Sequence, residues 1–376
     1  MTPLPAHHAP DGRFRNPWPM AAGDEALRKS IGKVAIEWLL GRRPPDPAPG
    51  TLPVAISDPA RPAAEGGEVR ITWIGHASVL VQLPGLNLLT DPVWSERCSP
   101  VGFMGPRRFV VAPLAMEALP PIHAVLLSHD HYDHLDRDTV RRLHERFGDE
   151  LTWYTPLGYA DWFAGVGVTR VVERDWWEAA DLPGARFQAV CVPARHWTRR
   201  RPGGTNRRLW GGWVVRPAEG VKRAEATAGR SEDGEEAPAG PRIYFAGDSG
   251  YCPAFSEIGA RLGPFDASLL PVGAYEPRWF MAAAHMNPEE AVQAYAEAGG
   301  EGAFVPIHWG TWRLTFEDPL EPPERTRGAW RSAGLPAEDL HVLRHGETLR
   351  LRKPDWQPSS HAADIVSRAQ SAEGAS

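Results

Sequence analysis

The sequence predicts an α/β fold in which sheets are flanked by helices. Three observations lead there. Short apolar runs punctuated by Gly and Pro are interspersed with amphipathic stretches along most of the chain. Polar, chemistry-bearing residues gather where those runs end, above all in Ser128-His129-Asp130-His131-Tyr132-Asp133-His134-Leu135-Asp136, which follows the apolar run Ile122 to Leu127. Apolar residues make up 42% of the 376, enough for a substantial core, while charged residues, at 23%, are those of an ordinary soluble protein.

Taken in order, residues 1–66 are Pro-rich and weakly patterned, and read as an N-terminal arm. Asp24 to Leu40 is the exception: Leu27, Ile31, Val34, Ile36, Trp38 and Leu39 recur near helical spacing, which predicts a short amphipathic helix. A Pro-rich stretch from Gly41 to Pro62 is expected to wrap the main domain, which spans 67–355. That domain opens with strands at 69–74, 78–83 and 86–90, and Ile122 to Leu127 adds a buried one. Asp136 caps a helix over 136–146. Further strands are expected at 151–155, 168–172, 185–193, 209–216, 242–246, 266–271 and 302–307, with helices at 157–164, 253–262, 288–298 and 322–333. The helix at 288 has a strong start: an Asn cap, Pro at the first position, and Glu289 and Glu290 in the first turn. Residues 217–241 break the pattern. Six acids, three bases and no aromatic residue cannot offset the cost of ordering, so a disordered loop insert is expected there. The tail, 356–376, is expected to be disordered as well.

The net charge of −6 supplies no basic field to recruit nucleic acid. Of 41 basic residues only Lys29, Lys33, Lys222 and Lys353 are lysines, a coding bias that suggests a GC-rich bacterial genome. Cys98, Cys191 and Cys252 are isolated thiols, which argues against a disulfide framework. No signal-like segment opens the chain, and no apolar run approaches the roughly 20 residues needed to span a bilayer. A cytoplasmic protein is expected, with peripheral membrane contact and a homodimer left open. Sixteen Trp is the unusual count, and core filling accounts for most of them.

His129, His131, Asp133 and His134 place three imidazoles and a carboxylate within six positions, donor types that suit zinc and its first-row neighbours. With fourteen His in the chain, such a cluster would arise by chance in roughly one sequence in a thousand. Three more candidates stand where strands end: His196, Asp248 and His308. Each alone serves equally well as a turn residue or a core histidine. Together they complete a set of five His and two Asp, and sharing Asp248 gives each of two ions four protein contacts.

Strand-ending ligands in this order resemble the metallo-β-lactamase superfamily. The segments Trp73 to Val81, Leu89 to Pro92, Gly105 to Phe109, Tyr275 to Met281 and His308 to Thr311 are similar to the N-acylphosphatidylethanolamine-hydrolysing phospholipase D family, over about residues 69 to 350. The resemblance implies a four-layer αββα sandwich and two zinc ions or similar divalent metals. It places His129, His131 and His196 on one ion and Asp133, His134 and His308 on the other, with Asp248 bridging. It also implies that Asp133, Asp248 and His285 are catalytic, His285 facing the substrate as a phosphate ligand or as the acid for a leaving alkoxide. Tyr275 and Arg278 fall in a matched segment and are expected either behind the ligands or at the substrate. Asp91, which ends a strand, is expected to orient a ligand histidine, although an Asp-Pro turn explains it too. His76 is either such a support or a turn residue.

The expected activity is cleavage of a phosphodiester in a phospholipid or another small substrate by a metal-bridged hydroxide, releasing phosphatidate and an N-acylethanolamine. Two alternatives compete: a lactonase resembling the ascorbate-6-phosphate lactonases, and a non-catalytic metal-stabilised binding protein. Acyl chains require an apolar groove, whereas a sugar phosphate requires a compact basic pocket.

Overall fold

The fold is that of a computed structural model, which describes residues 5–18, 44–56, 67–218 and 240–353. The helix expected within 24–40, most of the insert at 217–241 and the tail from 356 lie outside the described residues.

Two sheets face each other. The first contains β1 (Glu68–Gly75), β2 (Ser78–Leu83), β3 (Leu86–Thr90), β4 (Ala124–Leu126), β5 (Thr152–Pro156) and β6 (Val171–Arg174), in that spatial order. The second contains β7 (Ala179–Asp181), β8 (Phe187–Val192), β9 (Gly212–Pro217), β10 (Ile243–Phe245), β11 (Ala267–Pro271) and β12 (Ala303–Ile307), again side by side in chain order. A final strand, β13 (Thr348–Arg352), returns to pair antiparallel with β1. Helices α1 (Arg137–Phe147) and α2 (Ala160–Ala164) cover the first sheet. The second is covered by α3 (Ala254–Leu262), α5 (Pro288–Glu297) and α6 (Glu321–Ser332), and a single turn, α4 (Arg278–Met281), precedes α5. This is a four-layer αββα sandwich.

The period of two along a strand explains the layering. Val79, Val81 and Leu83 of β2 point into the core between the sheets, as do Val69, Ile71 and Trp73 of β1. Leu80 of β2 points the other way, with Leu89, Val125, Leu127 and Trp153, onto Val140 and Leu143 of α1. Both faces of the sheet are therefore buried, and its strands read as continuous apolar runs. On the opposite side Trp330 of α6 stacks on Phe304 of β12 at 5.4 Å. Among the described residues no helix is long and apolar enough to cross a membrane.

Local rules set the helix starts. The Asp136 side chain accepts from Thr139 N, and Asn287 and Glu290 form a reciprocal capping box. Some expected boundaries move. The strand expected at 209–216 begins only at Gly212, because Leu209 N and Gly211 N leave the ladder to bond Leu157 O and Ser128 O. Pro217, expected to open the insert, instead ends β9. The runs at 122–127 and 168–172 become Ala124–Leu126 and Val171–Arg174. Strands β7 and β13 are short or only half-buried and lack the apolar runs that mark the others.

Strands β3 to β6 run parallel, as do β10 to β12, and the polar loops follow their carboxyl ends. That edge is where open α/β sheets place their sites. Close backbone approach there demands glycine: a Cβ on Gly273 would stand 2.0 Å from the His308 carbonyl oxygen. Gly203 has φ +73° but open space around it. Gly273→Ala should therefore cost about 3 kcal/mol or more, the scale of overpacking against an unyielding backbone. Gly203→Ala should cost only the left-handed backbone penalty of about 1–2 kcal/mol. Urea unfolding of both variants checks the ordering, and equal losses would contradict it.

Candidate metal centre

Four loops deliver the side chains. His129, His131, Asp133 and His134 follow β4, His196 follows β8, Asp248 follows β10 and His308 follows β12. Buried tryptophans hold these loops by their indole N–H groups. Trp213 donates to Leu127 O at 2.7 Å, Trp210 to Ala194 O at 2.8 Å and Trp73 to His76 O at 2.9 Å. An indole buried between sheets needs an acceptor, and the loop carbonyls provide one. His308 sits at φ +64° and its N–H bonds His76 O, which joins the two sheets at this point.

The ligand atoms form two groups. His131 Nδ1 lies 2.9 Å from His129 Nε2 and 3.1 Å from His196 Nε2. In the other group His134 Nε2 is 3.3 Å from His308 Nε2 and 3.4 Å from Asp133 Oδ2, which lies 3.6 Å from His308 Nε2. Asp248 stands between them. Its Oδ2 is 3.1 Å from His134 Nε2, 3.8 Å from His129 Nε2 and 3.9 Å from His196 Nε2, while its Oδ1 is 3.1 Å from His308 Nε2. Donors about 2.0–2.1 Å from a tetrahedral ion stand roughly 3.3 Å apart, so both groups fit one ion each with modest adjustment.

The remote ring nitrogens support that fit. His134 Nδ1 donates to Asp91 Oδ2 at 2.6 Å, and Asp91 also takes the Ser128 N–H at 2.7 Å and the Ser128 hydroxyl. His129 Nδ1 meets Ser128 Oγ at 2.8 Å, and His196 Nδ1 donates to Ala284 O at 2.9 Å. Each partner fixes the tautomer that leaves Nε2 free to coordinate. His76 Nε2 contacts Asp133 Oδ2 at 2.9 Å, and its own N–H is held by Thr311 Oγ1 at 2.7 Å. His76 thus orients Asp133 or stands as a further donor beside it.

Charge tells the same story. Burial opposes ionisation of Asp133 and Asp248, yet His134 outweighs it and holds both carboxyls well below their usual range. Conversely, burial disfavours the imidazolium on His134 and His308, but Asp248 and Asp133 overcome it, lifting His308 to about 9 and His134 well above normal. Burial dominates at His76 and His196, pushed down to about 3, at His131, down to about 4, and at His129, far below normal. Two buried carboxylates without metal must therefore keep protons on their neighbours.

His285 joins this cluster: its Nδ1 lies 3.8 Å from Asp248 Oδ2, is buried and has no hydrogen-bond partner. Burial pushes its imidazole down to about 3. Arg278 is engaged by its own neighbours. Its guanidinium holds the His285 carbonyl at 2.9 Å and pairs with Glu290 at 2.9 Å, so it positions the His285 backbone. Tyr275 is fully buried, with its hydroxyl on Glu321 of α6 at 3.0 Å and the Arg325 guanidinium over its ring. Cys252 is a buried free thiol raised to about 11 by burial. Sequence reasoning missed Ser128, Thr311 and Ala284. Ser128 adjoins the motif and could have been suspected, but the Ala284 contact is a backbone carbonyl with no residue signature.

Residues 86–229 and 233–309 match the family model described as a beta-lactamase superfamily domain. The chain is 39% identical over 265 residues to an N-acyl-phosphatidylethanolamine-hydrolyzing phospholipase D of Caenorhabditis elegans, covering 68% of each chain. It is 39% identical over 296 residues to an uncharacterised protein of Mycobacterium tuberculosis, covering 77% of this chain and 70% of that one. Among solved structures, an isothiocyanate hydrolase from Delia radicum gut bacteria superposes with a TM-score of 0.55 at 18% identity, covering 76% of this chain and 100% of the other.

Two outcomes follow from this geometry. A divalent ion entering must displace the protons on His134 and His308, so loading releases protons and apparent affinity rises with pH toward about 9, where His308 loses its proton unaided. Calorimetric titrations with zinc in buffers of different ionisation enthalpy measure that release, and none at pH 7 would contradict it. Asp91→Asn should weaken metal binding by about 10–100-fold, the usual effect of removing a partner that orients a ligand. Competition with a chelating dye reads the change.

Proposed function

The chain belongs to the metallo-β-lactamase superfamily and to the family of N-acyl-phosphatidylethanolamine-hydrolysing phospholipases D, which makes it a metal-dependent hydrolase. From that premise we propose that it cleaves the phosphodiester of an N-acylated phosphatidylethanolamine, or of a close phospholipid, at a dinuclear zinc centre. The observation that carries this reading is the 39% identity to the worm phospholipase over 265 residues, in a chain that also assembles two His/Asp donor groups.

In this reading His129, His131 and His196 hold one ion, Asp133, His134 and His308 hold the other, and Asp248 serves both. Nitrogen-rich donor sets favour zinc, and manganese or iron are the competitors that elemental analysis separates. Bound divalent ions supply charge neutralisation for a phosphoryl group and acidify water toward neutral pH. The protein's own residues do the rest. Asp91, Ser128 and Ala284 O keep the imidazoles in register. The unpartnered Nδ1 of His285 is available to a phosphoryl or leaving oxygen beside Asp248, and Arg278 fixes the backbone that presents it. Trp197, 37% exposed, packs its ring edge against His131 at 4.5 Å, and Trp279 is 39% exposed. Such half-exposed indoles suit a substrate with one apolar and one polar end.

The lactonase alternative cannot draw on Arg278 to hold a sugar phosphate, because its guanidinium is occupied by Glu290 and the His285 carbonyl. The binding-protein alternative requires closed coordination, and with both ions loaded it would turn over neither a phosphodiester nor a lactone.

His285→Ala and His129→Ala separate chemistry from metal holding. His129→Ala should lose metal and turnover together. His285→Ala should retain the full metal content while turnover on N-acylated phospholipid micelles falls by roughly 10²–10⁴. An activated aryl phosphodiester should lose less if the imidazole protonates the leaving group. Retained metals with full turnover would make His285 structural, and lost metals would make it a ligand. A wild-type protein that hydrolyses lactones but no phosphodiester would refute the proposal.

A further inference from the structure

His7, His8 and Asp175 form a separate group whose potential ligand atoms all lie within 4.8 Å of one another, and none of the three belongs to the dinuclear centre. We propose that these residues are a further metal site, taking one zinc-like divalent ion on two imidazoles and a carboxylate and thereby fastening the N-terminal segment to the domain.

The convergence is unusual for neighbouring residues, whose side chains point apart on an extended chain. Here both do the same thing: His7 Nε2 is 2.7 Å from Asp175 Oδ1 and His8 Nε2 is 2.7 Å from Asp175 Oδ2. The rings are set by aromatic packing. His7 stacks on Trp176 at 4.2 Å, and His8 meets the edge of Phe14 at 5.0 Å. The carboxylate is set too, since Trp176 N donates to its Oδ1 at 2.8 Å. A preset donor set of this kind lowers the ordering cost of binding. Two nitrogens and one oxygen are ligands that zinc, nickel and copper accept. Each imidazole nitrogen lies 2.7 Å from its own Asp175 oxygen, so those contacts must lengthen for nitrogen and carboxylate to share one ion at roughly 2.0–2.2 Å. Asp175 and His8 keep side-chain exposures of 17% and 22%, so an ion has an entry path and water can complete its shell, while His7 is buried on the inner side.

The site has a structural consequence because of what the same segment touches. Asn16 Nδ2 donates to the His196 carbonyl at 3.0 Å, and Arg13 and Phe14 bond Thr205 O and Asn206 O. An ion on His7, His8 and Asp175 therefore anchors one end of a strap whose other end bears on the loop that carries His196.

Chelator-stripped full-length protein is dialysed against increasing zinc, and bound zinc is counted by elemental analysis. Wild type should reach three equivalents. His8→Ala and the near-isosteric Asp175→Asn should each stop at two, with unchanged circular dichroism. His129→Ala should keep one equivalent that the His8→Ala/His129→Ala double variant lacks. Wild type saturating at two equivalents, with neither His8→Ala nor Asp175→Asn lowering that number, would leave only a hydrogen-bonded clasp and overturn the proposal. A third equivalent that survives both His8→Ala and Asp175→Asn would overturn it equally, by placing the ion elsewhere.

Discussion

Asp133 and Asp248 are two carboxylates placed among imidazoles at the junction of two sheets, and the surrounding structure answers to their charge. Their buried charges cannot stand unpaired in a medium of low polarity. Without metal, His134 and His308 retain protons to balance them. With metal, those protons leave and two cations take their place. The arrangement around the pair keeps both states available: Asp91 fixes one imidazole, Ala284 O another, and tryptophan N–H groups pin the loops from behind. Gly273 allows the His308 backbone to approach where any side chain would collide.

Much of this was legible in the sequence, because strong local rules marked it. The loop after β4 announces itself by donor density, the caps at Asp136 and Asn287 by residue type, and the sheet strands by apolar runs closed with Gly or Pro. The placement of His196, Asp248 and His308 at strand ends was readable for the same reason. What was not legible depended on direction rather than identity. Tyr275 sits in a segment that resembles the family, and residue type alone does not foretell that its buried hydroxyl meets Glu321 and its ring Arg325, both on α6. Arg278 is close to the site but acts on the backbone of His285. Nothing in residue type separates a guanidinium that meets substrate from one that braces a loop. Strands β7 and β13 escaped because a short or half-buried edge strand carries little apolar signal.

The sixteen tryptophans acquire a more specific meaning than core filling. Trp73, Trp210 and Trp213 are completely buried, and each donates its one polar hydrogen to a carbonyl in a loop that carries the site. A phenylalanine of similar bulk would fill the layer but leave that carbonyl without its partner. The indole thus links the packing of the core to the accuracy of the centre, with the cost of burying N–H offset by the bond it makes.

The two sheets contribute unequally to the seven side chains. His129, His131, Asp133 and His134 come from the first, and His196, Asp248 and His308 from the second. Neither ion shell can be assembled by one sheet alone, since each group draws on both. Cations bound there act as a weld across the seam between the layers, at the end where the strands stop and hydrophobic contact gives way to polar loops. The seam's resistance to parting then depends on how much free metal surrounds the protein, rising by RT ln(1 + [M]/Kd) for each site. The same chain is consequently a tighter or a looser sandwich according to the metal supply, before any substrate arrives.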